Sequence, residues 1–459
     1  MDGLTTAFVA TTMRHHGYRV LEGPDLPVTS GVADSRKVTA GSLFAAFAGE
    51  NTDGNLYVAE ALERGAVAVV CQDAPVRDWP NATIVVAPDT TEAMAQLAHA
   101  WLKACSPKVV GITGTVGKTT AKDLIAAVVG QRFNTHKSEG NLNSREGLPL
   151  ALMSLRRDHE VSVLEMAMDS KGEILELCRI AEPTVGVVLN IGLTHVSKLG
   201  SIEAIAEEKL SLARYLGPDG TAVINIDDPR LDTGRVGLEC GVIPFSTTHR
   251  PDALAASNVT DRGLSGTGFD VHFAGGAPVH VRSPLPGTHT LPAALAAIAV
   301  GQALGMTLRE AADAVTASTV GGRMETRTSD TGATLLDDRY NSSPASLAGA
   351  LRLLARMPGQ RIALLGRMAE LGDHEDEEHR KAGRLAAACC DLLVAVGEPC
   401  RALVSAAKDD GLVDSHHFED KVEAAALVRE RMRPGDHVLI KASRSQAFET
   451  LIPYLEGAA

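Results

Sequence analysis

Aromatic side chains are scarce in this 459-residue chain, with two Trp, five Tyr and nine Phe. Its cores must therefore rest on Leu, Val, Ile and Ala. Cations are in the minority too, 44 Lys and Arg against 57 Asp and Glu, for a net charge of −13. That balance argues against general nucleic-acid binding and makes any anionic ligand depend on a local positive site. Gly, Asp or Lys interrupts every apolar run well short of a membrane span, so no membrane role is expected. The opening Met1-Asp2-Gly3-Leu4 shows no basic stretch followed by an apolar one, and the chain reads as cytoplasmic. Seven cysteines are scattered without a CxxC pair. An odd count at such spacing predicts buried reduced thiols rather than disulfides or a zinc site.

Length alone predicts about three domains. Gly and Pro, 43 and 21, punctuate short apolar runs that alternate with helix-like stretches, the pattern of parallel α/β sheets. The expected units are residues 1–103, 104–318 and 319–459, joined near Ser106-Pro107 and at a hinge, Gly321-Gly322-Arg323. Within the second unit, Val271-His272-Phe273 and Val279-His280-Val281 flank a Gly-Gly turn and predict a small antiparallel insert over 245–285. The third unit alternates strands and helices in a Rossmann-like manner.

The strongest local signal is Gly111-Ile-Thr-Gly114-Thr115-Val-Gly117-Lys118-Thr119-Thr120, between the strand Val109–Ile112 and a helix over 121–129. Glycines permit close backbone approach, and a helix N-terminus favours an anion. Lys118 suits β- and γ-phosphates, and Thr119 suits Mg2+. Strict spacing would require Gly at 112, where Ile112 stands, so this is a variant phosphate loop. ATP or GTP binding follows; the reaction does not.

In open parallel sheets, ligands collect beyond the carboxyl ends of strands. Val161–Leu164 ends in Glu165, and Val185–Ile191 leads to His195. Glu165 with Thr119 and nucleotide fits the small protein share of a Mg2+ shell. Lys209, on a helix opened by Ser201, reads by itself as a solvated charge. In the third unit Asp337, Asp338, Tyr340 and Asn341 follow one strand, and Lys441, Ser443 and Arg444 follow another. Basic groups at such an end suit a carboxylate or phosphate.

These residues resemble the Mur ligase family, along essentially the whole chain. The likeness rests on Asp34-Ser35-Arg36, the Gly114–Thr120 loop, Gly140-Asn141-Leu-Asn143, Glu165-Met166, Asn190 to His195, Lys209, Gly322-Arg323, Asp337 to Asn341, and Lys441 to Arg444, in that order. It implies three domains that bind, in turn, a UDP-linked peptide, ATP and an incoming amine. The closest match is to the activity that adds D-Ala-D-Ala to UDP-MurNAc-tripeptide through an acyl phosphate, in peptidoglycan synthesis. The resemblance also implies two Mg2+ ions, one held by Thr119 and Glu165, the other by His195 and a carbamylated Lys209. Arg323 would touch the γ-phosphate. Asp337 and Asn341 would hold the nucleoside, Asp34-Ser35-Arg36 the uridine end, and Asn141 and Asn143 the substrate. Lys441, Ser443 and Arg444 would take the incoming carboxylate. A monomer is expected.

Departures cluster toward the substrate ends: Ser211, Ala167, Ser144, Ser343 and Ala442 replace residues usual in the family. They leave open a ligase of the same chemistry redirected to another carboxylate and amine. A nucleotide-gated binding module is a third reading, opposed by the retention of Lys118, Glu165, His195 and Lys209.

Overall fold

The computed structural model describes residues 3–49, 52–194, 196–320 and 324–457. The expectations placed on His195, Arg323 and the Gly321-Gly322 hinge lie outside the described residues. Three sheets follow one another along the chain.

The first sheet orders its strands Arg19–Leu21, Thr83–Val86, Ala68–Cys71, Ser42–Ala45 and Ser30–Val32, parallel except at the Arg19–Leu21 edge. Its central strands are buried on both faces and apolar apart from Ser42, as parallel strands covered on both sides are. The helix Thr90–Cys105 packs on it, started by Asp89, whose carboxylate accepts from the amides of Thr91 and Glu92. Trp101, Leu97 and Met94 of that helix join Leu148, Leu152, Leu164 and Met166 in one core, so the first and second units share apolar packing.

The second sheet has nine strands, in the order Val279–Ser283, Thr267–His272, Leu254–Asp261, Gly241–Ser246, Thr221–Asn225, Val185–Val188, Lys108–Thr113, Val161–Glu165 and Thr135–Lys137. The expected antiparallel hairpin is present, pairing Asp270 with His280 and Val271 with Val279. Leu254–Asp261 pairs in parallel with Gly241–Ser246 and antiparallel with Thr267–His272, so the hairpin continues the main sheet. Helices Leu291–Ala303 and Lys118–Val129 pack together over this sheet, and the first is apolar on every face from Ala293 to Gly301, where it is fully buried.

The third sheet runs Glu325–Thr328, Thr334–Asp337, His437–Lys441, Arg361–Gly366, Leu392–Val396 and Ser415–Phe418, parallel except at the first strand. Its two edge strands, Glu-Thr-Arg-Thr and Ser-His-His-Phe, were not expected because neither carries an apolar run. This unit meets the second through smaller contacts: Leu193 and Leu264 pack on its core, and Arg356 lies 3.3 Å from Asp261.

Candidate active site

The phosphate loop is set by two neighbours. Gly117 caps the helix Lys118–Val129 with φ of 82°, a left-handed conformation glycine adopts without strain, and as the cap it brings no side chain to that helix N-terminus. The helix therefore begins at Lys118, one turn earlier than its apolar periodicity suggests. Asn190, just past the strand Val185–Val188, clamps the loop. Its Oδ1 accepts from the amides of Thr115 at 3.0 Å and Val116 at 2.9 Å, and its Nδ2 donates to Val116 O at 2.9 Å. Lys118 Nζ turns back onto the loop, donating to Gly114 O at 2.8 Å and Thr115 O at 3.4 Å.

Beside the loop, Glu165 is 2% exposed at its strand end. Thr119 Oγ1 donates to its Oε2 at 2.7 Å, and Asn143 Nδ2 donates to its Oε1 at 2.8 Å. A hydroxyl and a carboxylate converging beside a phosphate loop are the hard oxygen donors Mg2+ takes. Among the described residues no three His, Cys, Asp or Glu side chains converge.

The structure overturns the solvated reading of Lys209. The residue is 2% exposed on the helix Ile202–Tyr215, and among the described residues it has no hydrogen bond or ion pair. Burial pushes its amine well below the usual lysine range; the charge of Lys118 adds to that and Glu208 opposes it. Glu208 itself faces away, accepting from the amides of Gly172 at 2.8 Å and Ile174 at 3.0 Å.

A cavity of about 550 Å³ joins this loop to the third unit. Thr115, Gly117, Lys118, Thr120, Asn141, Asn143 and Glu165 line one wall, and Asp338, Asn341, Lys441, Ser443 and Arg444 line the other. Gly114 and Thr119 lie behind the first wall, with Thr119 acting on Glu165. Ser443 Oγ accepts from the Ala369 amide at 2.8 Å, tying the last strand to the next loop of the same wall. Arg444 lies 5.2 Å over the Tyr340 ring.

Three groups expected to meet ligands have partners within the protein. Asp337 does not line the cavity; it is 4% exposed and accepts from Arg327 Nε at 3.2 Å and from Arg339. Burial pushes its carboxyl up, against the pull of Arg339. Lys441 is 2% exposed, with Nζ 2.5 Å from Asp338 Oδ2 and 3.0 Å from Asn341 O, so its charge is already matched. Asp34-Ser35-Arg36 lies outside the cavity. Arg36 binds Asp34 through two 2.9 Å hydrogen bonds, and Ser35 Oγ donates to Glu60 Oε2 at 3.0 Å. Asp338 and the Asn190 clamp are the residues that sequence reasoning left without a role, though both stand at strand ends.

Three family models match the chain: Mur ligase middle domain over residues 112–301, Mur ligase glutamate ligase domain over 322–444, and Mur ligase family catalytic domain over 29–102. The UDP-N-acetylmuramoyl-tripeptide–D-alanyl-D-alanine ligase of Bacillus subtilis is 34% identical over 93% of both chains. A MurF structure from Acinetobacter baumannii superposes with a TM-score of 0.85 at 26% identity, covering 100% of this chain and 99% of that one. The MurF ligase of Thermotoga maritima in complex with ADP superposes with a TM-score of 0.78 at 27% identity, over 94% and 97%.

Proposed function

The chain belongs to the Mur ligase family, and on that premise we infer that it is an ATP-dependent amide ligase adding D-Ala-D-Ala to UDP-MurNAc-tripeptide in peptidoglycan precursor synthesis. One observation carries this reading. A single cavity has a phosphate loop with a strand-end carboxylate on one wall and a basic strand end on the other, as a reaction joining a phosphorylated acid to an amine needs.

In the first step a carboxylate oxygen of the UDP-linked peptide attacks the γ-phosphorus of ATP, and the bond to the bridging oxygen breaks to release ADP. In the second step the neutral amine of the dipeptide attacks the acyl carbon, phosphate departs, and the nitrogen loses a proton. Phosphoryl transfer depends on positioning and charge neutralisation. Lys118 leaves the loop carbonyls for the β- and γ-phosphates, and the helix N-terminus adds its amides. Thr119 and Glu165 would hold one Mg2+; His195 and Lys209 would hold a second. Bound there, the metal would offset phosphate charge. The depressed basicity of Lys209 supports a neutral amine, whose nitrogen adds to CO2 and loses a proton to give a carbamate.

Arg323 would reach the γ-phosphate, and Asp34-Ser35-Arg36 the uridine end. Arg444 and Ser443 would take the incoming carboxylate, with Lys441 acting through its bond to Asn341. We assign residues 1–103 to the UDP-linked substrate, 104–318 to ATP and 319–459 to the amine. One chain supplies both cavity walls, which supports a monomer, and the nucleotide-linked substrate supports a cytoplasmic site of action. Among the described residues no helix is long and apolar enough to cross a membrane.

The test is phosphate release from ATP with UDP-MurNAc-tripeptide, with and without D-Ala-D-Ala, with the product weighed by mass spectrometry. Phosphate release with the pentapeptide product supports the assignment. ATP binding without turnover would transfer the same chemistry to another carboxylate and amine, the alternative that Ser343 and Ala442 suggest.

A further inference from the structure

Lys122 stands one helical turn beyond Lys118 on the helix Lys118–Val129 and is 1% exposed. Lysine is rarely buried to that extent unless its ammonium has a task inside the fold. Residues four apart share a helix face, and these two lysines reach two different loops. Lys118 donates to Gly114 O in the phosphate loop, whereas Lys122 Nζ donates to Gly140 O at 3.2 Å. Gly140 opens the turn that carries Asn141 and Asn143 into the cavity, and it does so at φ of 53°.

That turn bears on Glu165 from two sides. Asn143 Nδ2 donates to Glu165 Oε1 at 2.8 Å, and the Asn143 carbonyl accepts from the Ala167 amide at 2.9 Å. Ser138 Oγ accepts from the Glu165 amide at 3.3 Å. The segment 138–144 is thus the frame that aims the Glu165 carboxylate toward Thr119. Between those two contacts, at Gly140, it is held to the phosphate-loop helix by the Lys122 ammonium, a charge-assisted bond.

We propose that Lys122 is a positioning residue. It fixes the 138–144 turn to the phosphate-loop helix, so that Asn143 and Glu165 take their places only when that helix is itself in place. The metal part of this proposal rests on the reading that Thr119 and Glu165 hold a divalent cation beside the nucleotide.

The experiment needs no turnover. Mn2+ binding to the ADP-bound full-length protein is read by electron paramagnetic resonance, and amide hydrogen exchange is followed peptide by peptide. Lys122→Met is expected to weaken Mn2+ roughly tenfold, the size of effect seen when an outer partner of a metal ligand is removed. Exchange should quicken in the 138–144 segment and not across the rest of the domain. Adding Lys122→Met to Asn143→Ala should cost little beyond Asn143→Ala alone, because both act through one turn. Lys122→Arg, which keeps a charged donor, should restore most of the affinity.

Mn2+ affinity unchanged in Lys122→Met, additive losses in the double variant, or faster exchange throughout the domain would each overturn the proposal. Lys122→Gln is measured alongside; loss of the folded state in both neutral variants would assign Lys122 to the core and overturn it equally. If the wild type binds ADP and Mn2+ yet joins no peptide to D-Ala-D-Ala, the assigned reaction fails while this measurement still decides the role of Lys122.

Discussion

Buried Lys441 and half-buried Asp338 form an ion pair, Nζ to Oδ2 at 2.5 Å, within the wall that faces the phosphate loop. The ammonium therefore braces the Asp338–Asn341 turn more than it offers free charge to a ligand. Removing one partner of such a pair strands the other, at a cost of about 3–5 kcal/mol. Asp338→Asn is thus expected to lower the unfolding free energy by that order in urea titrations. A loss near zero would mean that Lys441 already binds elsewhere.

Arg444 is an exposed cation of that wall, stacked on Tyr340. Arg444→Ala should raise KM for D-Ala-D-Ala roughly tenfold or more, since a charge-assisted contact of 1.5–3 kcal/mol is lost, while KM for ATP stays put. A variant in which both constants move together would place Arg444 on the nucleotide instead.

Glu165→Gln keeps the shape of the side chain and its reach to Thr119, but removes the charge. The Mg2+ concentration for half-maximal phosphate release should rise about tenfold or more, with the melting temperature little altered. Unchanged Mg2+ dependence would remove Glu165 from the metal site.

Lys209 should carry a carbamate. Protein equilibrated with 13C-bicarbonate is expected to show a carbamate carbon in the NMR spectrum, and Lys209→Met should lack that signal together with ligase activity. Full activity in the methionine variant would refute the role.

His136 gives a pH signature of stability. It is buried, with Nδ1 at 2.9 Å from Ser162 Oγ and Nε2 at 3.1 Å from Ser154 Oγ, and burial pushes its pKa down to about 4. The unfolded chain, with an ordinary imidazole near 6.5, binds this proton first. Stability is therefore whole above about pH 6.5 and is lost as pH falls toward 4, by up to about 3 kcal/mol. Chemical denaturation of the wild type and His136→Gln across that window should show the steeper acid loss only in the wild type; parallel curves would count against it.

Much of this site was legible because parallel strands deliver their ends to one side. The run Val109–Ile112 followed by glycines and Lys118 announces its own geometry, and Glu165 stands where a strand must stop. Faces were harder. Asp337 and Asp338 are adjacent on an extended chain, so their side chains leave on opposite sides, and no local signal says which side holds the cavity. The pair Asp34 and Arg36 could not be told from two separate ligand contacts, because their mutual hydrogen bonds depend on the turn between them. Lys209 was hidden for another reason. Its helix carries Glu207, Glu208 and Lys209 in a row, a pattern that fits a solvated face, and only packing against neighbouring elements buries the last two.

All seven cysteines are buried, and burial raises every one of their thiols, those of Cys105, Cys178, Cys390 and Cys400 to about 12. A maleimide needs a thiolate it can reach, so the native protein should be nearly silent to such dyes. Val236 and Val413, both exposed and lying in the second and third units, can each be exchanged for cysteine and labelled against that dark background. The enzyme is in this sense prepared as its own molecular ruler. The dye-to-dye distance would follow the third domain as nucleotide and peptide arrive, one turnover at a time.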